Sequence, residues 1–494
     1  MADKSVTSMR EVIEKFKEEF IVIDKEVDPI YEIAGIQQSL QDSYGILFNN
    51  IKGFPGLKGV GNPLSREDMV ARMFNVDDWK KLKFKCLEAM KKPLPPKIVK
   101  NAPCQEVVHI DDMDLRSMLP VIKHTPRDGA HVSSGGILLA MGESANGGSD
   151  LGFKRMHFRG KDWASIWMGP GEHITDLLTG EARGKKLPVT INICAPPSTL
   201  VVAAAAFVHP VVPHGSDELG FAGGLQDCPV EIVKAKTVDA YGIANAEWVI
   251  EGYISSSERA WETDEAQETG RVYRRETAPP FFPEWHGYLG RAMNVFKFSA
   301  TALTHRKDPM LFAPHARSIE ADVIAAPFRE ACFYELFNRM DPGFVTDVSI
   351  MPGVASWGAF VIFQVKKRRP RDEGVQKTML SACFQYPILQ MAIAVDEDVD
   401  IYNPRDVLWA IATRCDPEHI ILAPPRPDMY QGAYPARRGM GLDATIAFDN
   451  KGFYERAQYP TTDLDLERWI SKDKLAAARA MQGDFARLLA KTGH

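Results

Sequence analysis

Asp150, Arg155, His173 and Glu218 fall within 75 residues, Asp150 to Gly224, among apolar runs and glycine turns. The stretch opens around SDLGFKRMHFRG, passes through GPGEHITDL and closes with DELGFAGGL. One Asp, one His and one Glu form a hard-metal set. Carboxylate oxygens with a single imidazole suit Mg²⁺ or Mn²⁺ better than Zn²⁺, which favours thiolates or several histidines. Such an ion keeps open positions and is bound partly through phosphate oxygens. Arg155 offers a planar fork for a substrate carboxylate or a neighbouring catalytic Glu. Spacing alone leaves the plainer alternative open: a histidine, two ordinary carboxylates and a strand-end arginine in a surface ion pair.

Three further features bear on chemistry. In KRMHF, strand alternation puts Arg155 and His157 on one face and Met156 on the other. In PFFPEWHGYLG, Glu284 stands alone among aromatic residues. An apolar wall raises a carboxyl pKa and lets it hold a proton near neutrality, the alternative being a loop acid facing water. The glycines of DELGFAGG permit close backbone approach to a phosphate, although two adjacent glycines alone are only a turn. VDEDVDIYN has four acids but lacks the glycine and terminal Glu of an EF-hand loop, and reads as a strand end and loop.

The elements that must position these residues divide into three regions. Residues 9–20 have an amphipathic helical pattern. ILFNNIKGFPGLKGVGN reads as strand, turn and strand. SREDMVARMF begins a helix with Ser65 as N-cap. The proline-rich Pro93–Cys104 stretch reads as an extended linker, so a first α/β domain spans 1–110. From 111 to 325 short strands dominate, with helices starting near Glu172 and Ser198, which indicates a barrel or sandwich. A connecting helix at 326–345, centred on Phe328–Met340, leads to alternating strands and helices in an α/β domain at 346–494, with a charged helical tail. The whole is an α/β (α+β) multidomain chain.

Composition bounds the partners. The chain has 494 residues, 45% apolar and 25% charged, with formal net charge −6. That is an ordinary globular composition with no nucleic-acid face; KKRRPR (Lys366–Arg371) reads as a solvated strand end. The N-terminus lacks the apolar core of a secretory signal, and STLVVAAAAFVHPVV is too short to span a bilayer and contains His209 and Pro210. Seven scattered cysteines argue against a disulfide scaffold or zinc site. These features predict a reducing cytoplasm, no membrane and no nucleic acid.

SDLGFKRMH, GEHI and DELGFAGGLQDCPVEIV also resemble the signature blocks of the UbiD family of (de)carboxylases, which use prenylated flavin mononucleotide (FMN). The likeness continues through IANAEWVIEGYI, FPEWHGYLGRA, VFKFSATALTHRKDPML and IAVDEDVDIYNPRDVLWAIATR, in family order, over residues 15 to 460. Within the family it is nearest the branch acting on aromatic acids such as phenolic benzoates. The resemblance implies a central split β-barrel for the flavin and a C-terminal oligomerisation domain. Asp150, His173 and Glu218 are then expected to hold Mn²⁺ or Mg²⁺, and through it the flavin phosphate, with K⁺ as a further cation. Arg155, Met156 and Gln390 are expected at the cofactor, Arg155 also orienting the substrate. Glu284 is expected to be the proton donor of a Glu–Arg–Glu triad.

Three positions depart from the family pattern. Asp150 stands where many members have Asn and adds negative charge against a phosphate. Gln390 stands where a Lys is common. Pro279 stands where many members place the second Glu of the triad. Glu276 is the nearest upstream acid that could substitute, with Glu258 and Glu268 weaker candidates.

The resemblance implies reversible, non-oxidative decarboxylation of an aromatic or heteroaromatic acid through a covalent prenylated-flavin adduct. Its partners are the acid, CO₂, a flavin prenyltransferase as supplier, and a second copy in a homodimer or higher homo-oligomer. Two rivals are an ordinary FMN redox enzyme and a non-catalytic subunit of a carboxylase complex. No GxGxxG or NAD(P)H site supports the first. Pro279 and Gln390 motivate the second, against which stand the metal residues, Arg155 and Glu284.

Overall fold

Short apolar strands separated by glycine and proline turns pair here into one large antiparallel sheet. The computed structural model describes residues 4–129, 132–142, 148–169, 172–180, 184–205, 207, 210–269, 280–284, 286–312, 314–351, 353, 358–386, 388–425, 438–457 and 464–481. The main strands are β1 (Gly136–Met141), β2 (Ser149–Phe153), β3 (Met156–Phe158), β4 (Trp163–Ile166), β5 (Lys186–Ile193), β6 (Trp248–Trp261) and β7 (Asn294–His305). Their order is β3-β4-β7-β6-β5-β1-β2, with Val132–Ser133 beside β3. β7 divides the sheet: Phe296–Ser299 pair with β4, whereas Leu303–His305 pair with Val107–His109. The result is the expected curled half-barrel.

Register places the site. β1 holds β2 by pairing Ala140 with Asp150 and Leu139 with Leu151. β6 is the longest strand, and its far end is aligned by Trp261 opposite Asn294. Register shifts between Ile254 and Arg259 bend it there, since extra residues in one strand increase local twist. Helices α1 (His173–Thr179) and α2 (Glu218–Leu225) each begin with a residue of the expected metal set.

Flanking elements bear out the α/β pattern. Phe20–Ile23, Gly45–Phe48, Lys58–Gly61 and Met310–Phe312 make a four-stranded sheet. At the C-terminal end Phe360–Val365, Met391–Asp396 and Met440–Ala444 run parallel, as strands joined by helical crossovers do. Among the described residues no helix is long and apolar enough to cross a membrane. Chain contacts also set apart a smaller unit, 367–373 with 446–494, in which Lys367 bonds Glu373 at 3.0 Å and the Ile446 carbonyl at 2.9 Å.

Some local expectations fail for identifiable reasons. Ser65 does not cap the next helix; its hydroxyl donates to the Asn62 carbonyl, and Arg66 holds the N-cap position. The stretch from Pro93 to Cys104 is extended but is no free linker, because Lys97–Val99 pairs with Glu231–Val233. The connecting helix, α3, is longer than expected: it runs Ile319–Met340 and carries Pro327 inside it. Ser318 starts α3 by accepting the Ala321 N–H.

Glu320, in the first turn of α3, is buried and accepts the Leu64 N–H at 2.8 Å. Burial pushes its pKa from 4.5 up to about 7, opposed by that amide. A folded pKa above the unfolded one gives stability that is full below 4.5 and lost as pH rises through about 7. Glu320→Gln keeps an acceptor without the charge. It is expected to stabilise the chain by about 3 kcal/mol at pH 8 and little at pH 4, which denaturant unfolding at the two pH values checks.

Candidate active site

Strand alternation puts Asp150 and Gly152 of β2, and Lys154 just beyond it, on one face. Asp150 and Lys154 are both buried. A Cβ on Gly152 would lie 2.9 Å from Lys154 Nζ and 3.1 Å from its Cε, so the missing side chain makes room for the lysine to fold back along the strand. Two helix starts close over this face. His173 Nδ1 lies 3.2 Å from Asp150 Oδ2. Glu218 Oε2 accepts the Leu151 N–H at 2.6 Å. Ser149 fixes α2 to β2, its hydroxyl donating to Asp217 at 2.6 Å and accepting the Leu219 N–H at 2.8 Å.

This pocket is electrostatically tense. Burial, then the nearby Asp150 charge, pushes the Glu218 carboxyl well above its ordinary pKa. Lys154 Nζ donates to Glu172 Oε2 at 2.5 Å. Burial works to lower the Lys154 pKa, but Glu172, Asp150 and Glu218 outweigh it and hold the ammonium charged. Sequence reasoning missed Lys154 and Glu172; the one signal was a glycine two residues before the lysine on a strand.

Asp150, His173 and Glu218 are thus brought to one pocket from three elements. Among the described residues no three His, Cys, Asp or Glu side chains are arranged so that together they could hold a metal ion, and Glu218 is committed to the Leu151 amide. The donor chemistry nevertheless fits a hard divalent ion: two carboxylates, one imidazole, and a like-charge conflict between Asp150 and Glu218 that a cation relieves. His173→Ala is expected to lose bound Mn²⁺ and flavin together, measured by elemental analysis and absorbance. Full occupancy of both would remove His173 from the ligand set.

A second cluster surrounds Arg155, whose side chain is 7% exposed. Its Nε and Nη2 donate to Glu262 Oε1 at 2.9 and 2.6 Å, and its Nη1 donates to Glu284 Oε1. Glu262 directly follows β6 and is locked there: its Oε2 accepts the Met293 N–H at 2.9 Å, and its own N–H donates to the Met293 carbonyl at 3.0 Å. Burial raises the Glu262 pKa against the opposing pull of Arg155. His157 Nδ1 donates to the Glu262 carbonyl, which fixes that proton because a carbonyl only accepts. Arg155 and His157 therefore share a face, as alternation requires. The Phe281 ring lies 4.9 Å and the Trp167 ring 5.9 Å from the guanidinium carbon.

Glu284 is held in a turn, its N–H on the Tyr288 carbonyl at 2.9 Å. A Glu–Arg–Glu arrangement is present, with Glu262 as the acid that sequence reasoning missed. Glu276 and Pro279 lie outside the described residues. Glu258 is near Lys186 and Lys297, at 3.8 and 3.9 Å, and Glu268 lies on the short helix Asp264–Thr269. Met156 is buried in β3 opposite Ile166. Gln390 precedes Met391–Asp396 and donates its amide to the Ile388 carbonyl at 3.2 Å.

Comparisons agree over nearly the whole chain. Residues 97–316, 322–437 and 14–84 match the models of the Rift-related, C-terminal and N-terminal domains of 3-octaprenyl-4-hydroxybenzoate carboxy-lyase (UbiD). A gallate decarboxylase of Lactiplantibacillus plantarum is 31% identical over 487 residues, covering 91% of this chain and 96% of that protein. The 3,4-dihydroxybenzoic acid decarboxylase of Enterobacter cloacae superposes with TM-score 0.80 at 30% identity, covering 94% of this chain and 99% of that one. The UbiD-class enzyme HmfF of Pelotomaculum thermopropionicum, solved with prenylated FMN (prFMN), gives TM-score 0.80 at 26% identity, with 94% and 100% covered.

Proposed function

This chain belongs to the UbiD family and is a carboxy-lyase; from that premise we propose that it decarboxylates a hydroxylated benzoic acid on prenylated FMN. The observation that carries the reading is one buried arginine held between two carboxylates against aromatic rings. Loss of CO₂ from an sp² carbon leaves an electron pair that no side chain here can delocalise. Prenylated flavin, when bound, would supply the electron sink for that pair.

The chain's own residues do the rest. Asp150, His173 and Glu218 would hold a divalent ion, which would supply positive charge for the flavin phosphate. Arg155 has five N–H donors, three of them engaged by Glu262 and Glu284. Among the described residues the other two are left to face a substrate carboxylate. Glu262 fixes the plane of that fork, and Phe281 with Trp167 gives it an apolar wall. As the C–C bond breaks, the carboxylate leaves as CO₂ and its bonding pair stays with the ring carbon; Glu284, protonated beforehand, delivers its proton to that carbon and is left as the carboxylate that Arg155 holds. Decarboxylation is the favoured direction unless bicarbonate is abundant.

The test uses full-length protein co-produced with a flavin prenyltransferase. CO₂ release is measured from gallate, 3,4-dihydroxybenzoate and unsubstituted benzoate. Release from a hydroxylated acid, with little from benzoate, supports the reading. No release from any aromatic acid by flavin-loaded protein would contradict it.

A further inference from the structure

We infer that Lys154 is a phosphate-contacting residue of the flavin pocket, supplying positive charge beside the divalent ion. The inference rests on the flavin reading above and adds a binding residue to that site.

The plainer account is a buried ion pair between Lys154 and Glu172. Three observations go beyond it. First, β2 puts the lysine on the face of Asp150, and Gly152 leaves the space into which it folds. Second, an ammonium has three donors. The buried Lys154 ammonium donates to Glu172, and its further N–H groups can face a ligand. Third, the ammonium lies among the carboxyl groups of Asp150, Glu172 and Glu218, so a phosphate approaching this acidic surround meets a cation there.

The experiment compares dissociation constants for FMN and for riboflavin, which lacks the phosphate, using Mn²⁺-loaded full-length protein. Manganese content is measured in parallel. Lys154→Met is expected to weaken FMN binding about tenfold, the value of one charge-assisted hydrogen bond. Riboflavin affinity and manganese content should stay unchanged. Lys154→Arg should restore most of the FMN preference. Gly152→Ala, whose Cβ would occupy the lysine's space, should reproduce the loss with the lysine still present. Equal weakening of FMN and riboflavin, or weakening of neither, would overturn the inference. A wild-type chain that binds FMN no tighter than riboflavin would overturn the phosphate pocket itself, and the inference with it.

Discussion

Arg155→Met is expected to stop CO₂ release and to destabilise the fold by about 3–5 kcal/mol, the cost of breaking a buried ion pair. The substitution leaves Glu262 and Glu284, 1% and 14% exposed, without their shared counter-charge. The stability loss should depend on pH with a definite sign. Burial already raises the Glu262 pKa above 4.5 with Arg155 opposing, and removing the arginine raises it further. A raised folded pKa gives stability that is present at low pH and lost as pH rises through that pKa. The variant should therefore lie nearest wild type below pH 4.5 and fall furthest behind it in alkaline buffer. Thermal unfolding across pH checks this. Arg155→Lys should recover part of the stability but little activity, because a point charge cannot replace a fork spanning two carboxylates.

Glu284→Gln should fold and bind flavin as wild type does, yet lose about 10³-fold in turnover, within the usual range for removing a general acid. The amide oxygen can still accept the Arg155 Nη1 bond that Glu284 Oε1 accepts. What disappears is the proton for the ring carbon. The variant should also fail to exchange the corresponding ring hydrogen of the product in D₂O. Turnover and exchange at wild-type rates would remove Glu284 from the proton-transfer role.

Much of the site was legible because it is written in local patterns. Asp150, His173 and Glu218 stand out as a hard-metal donor set by residue type, Arg155 as a fork for a carboxylate, and alternation along KRMHF pairs Arg155 with His157 on one face. The strand blocks and glycine turns likewise indicated the antiparallel sheet. Glu262 was not legible. The second acid was sought just upstream of Glu284, at positions outside the described residues, and Glu262 meets Arg155 from the far end of β6, where Trp261 pairs with Asn294. That pairing depends on register shifts between Ile254 and Arg259, which no residue pattern announces. Lys154 was hidden differently: a lysine at a strand end resembles a solvated cation until Gly152 is seen to leave it an interior path. Ser65 and Pro327 show the limit of local rules. A good capping residue can be diverted into a neighbouring turn, and a proline can sit inside a helix whose packing holds it.

We propose that this carboxy-lyase works on a prenylated flavin held through a divalent ion. The most direct measurement is native mass spectrometry with an absorbance spectrum of the full-length protein, co-produced with a flavin prenyltransferase in Mn²⁺-supplemented cells. The expected result is one prenylated FMN and one manganese ion per chain, both lost in His173→Ala. Unmodified FMN alone, or folded protein without flavin, would contradict the claim.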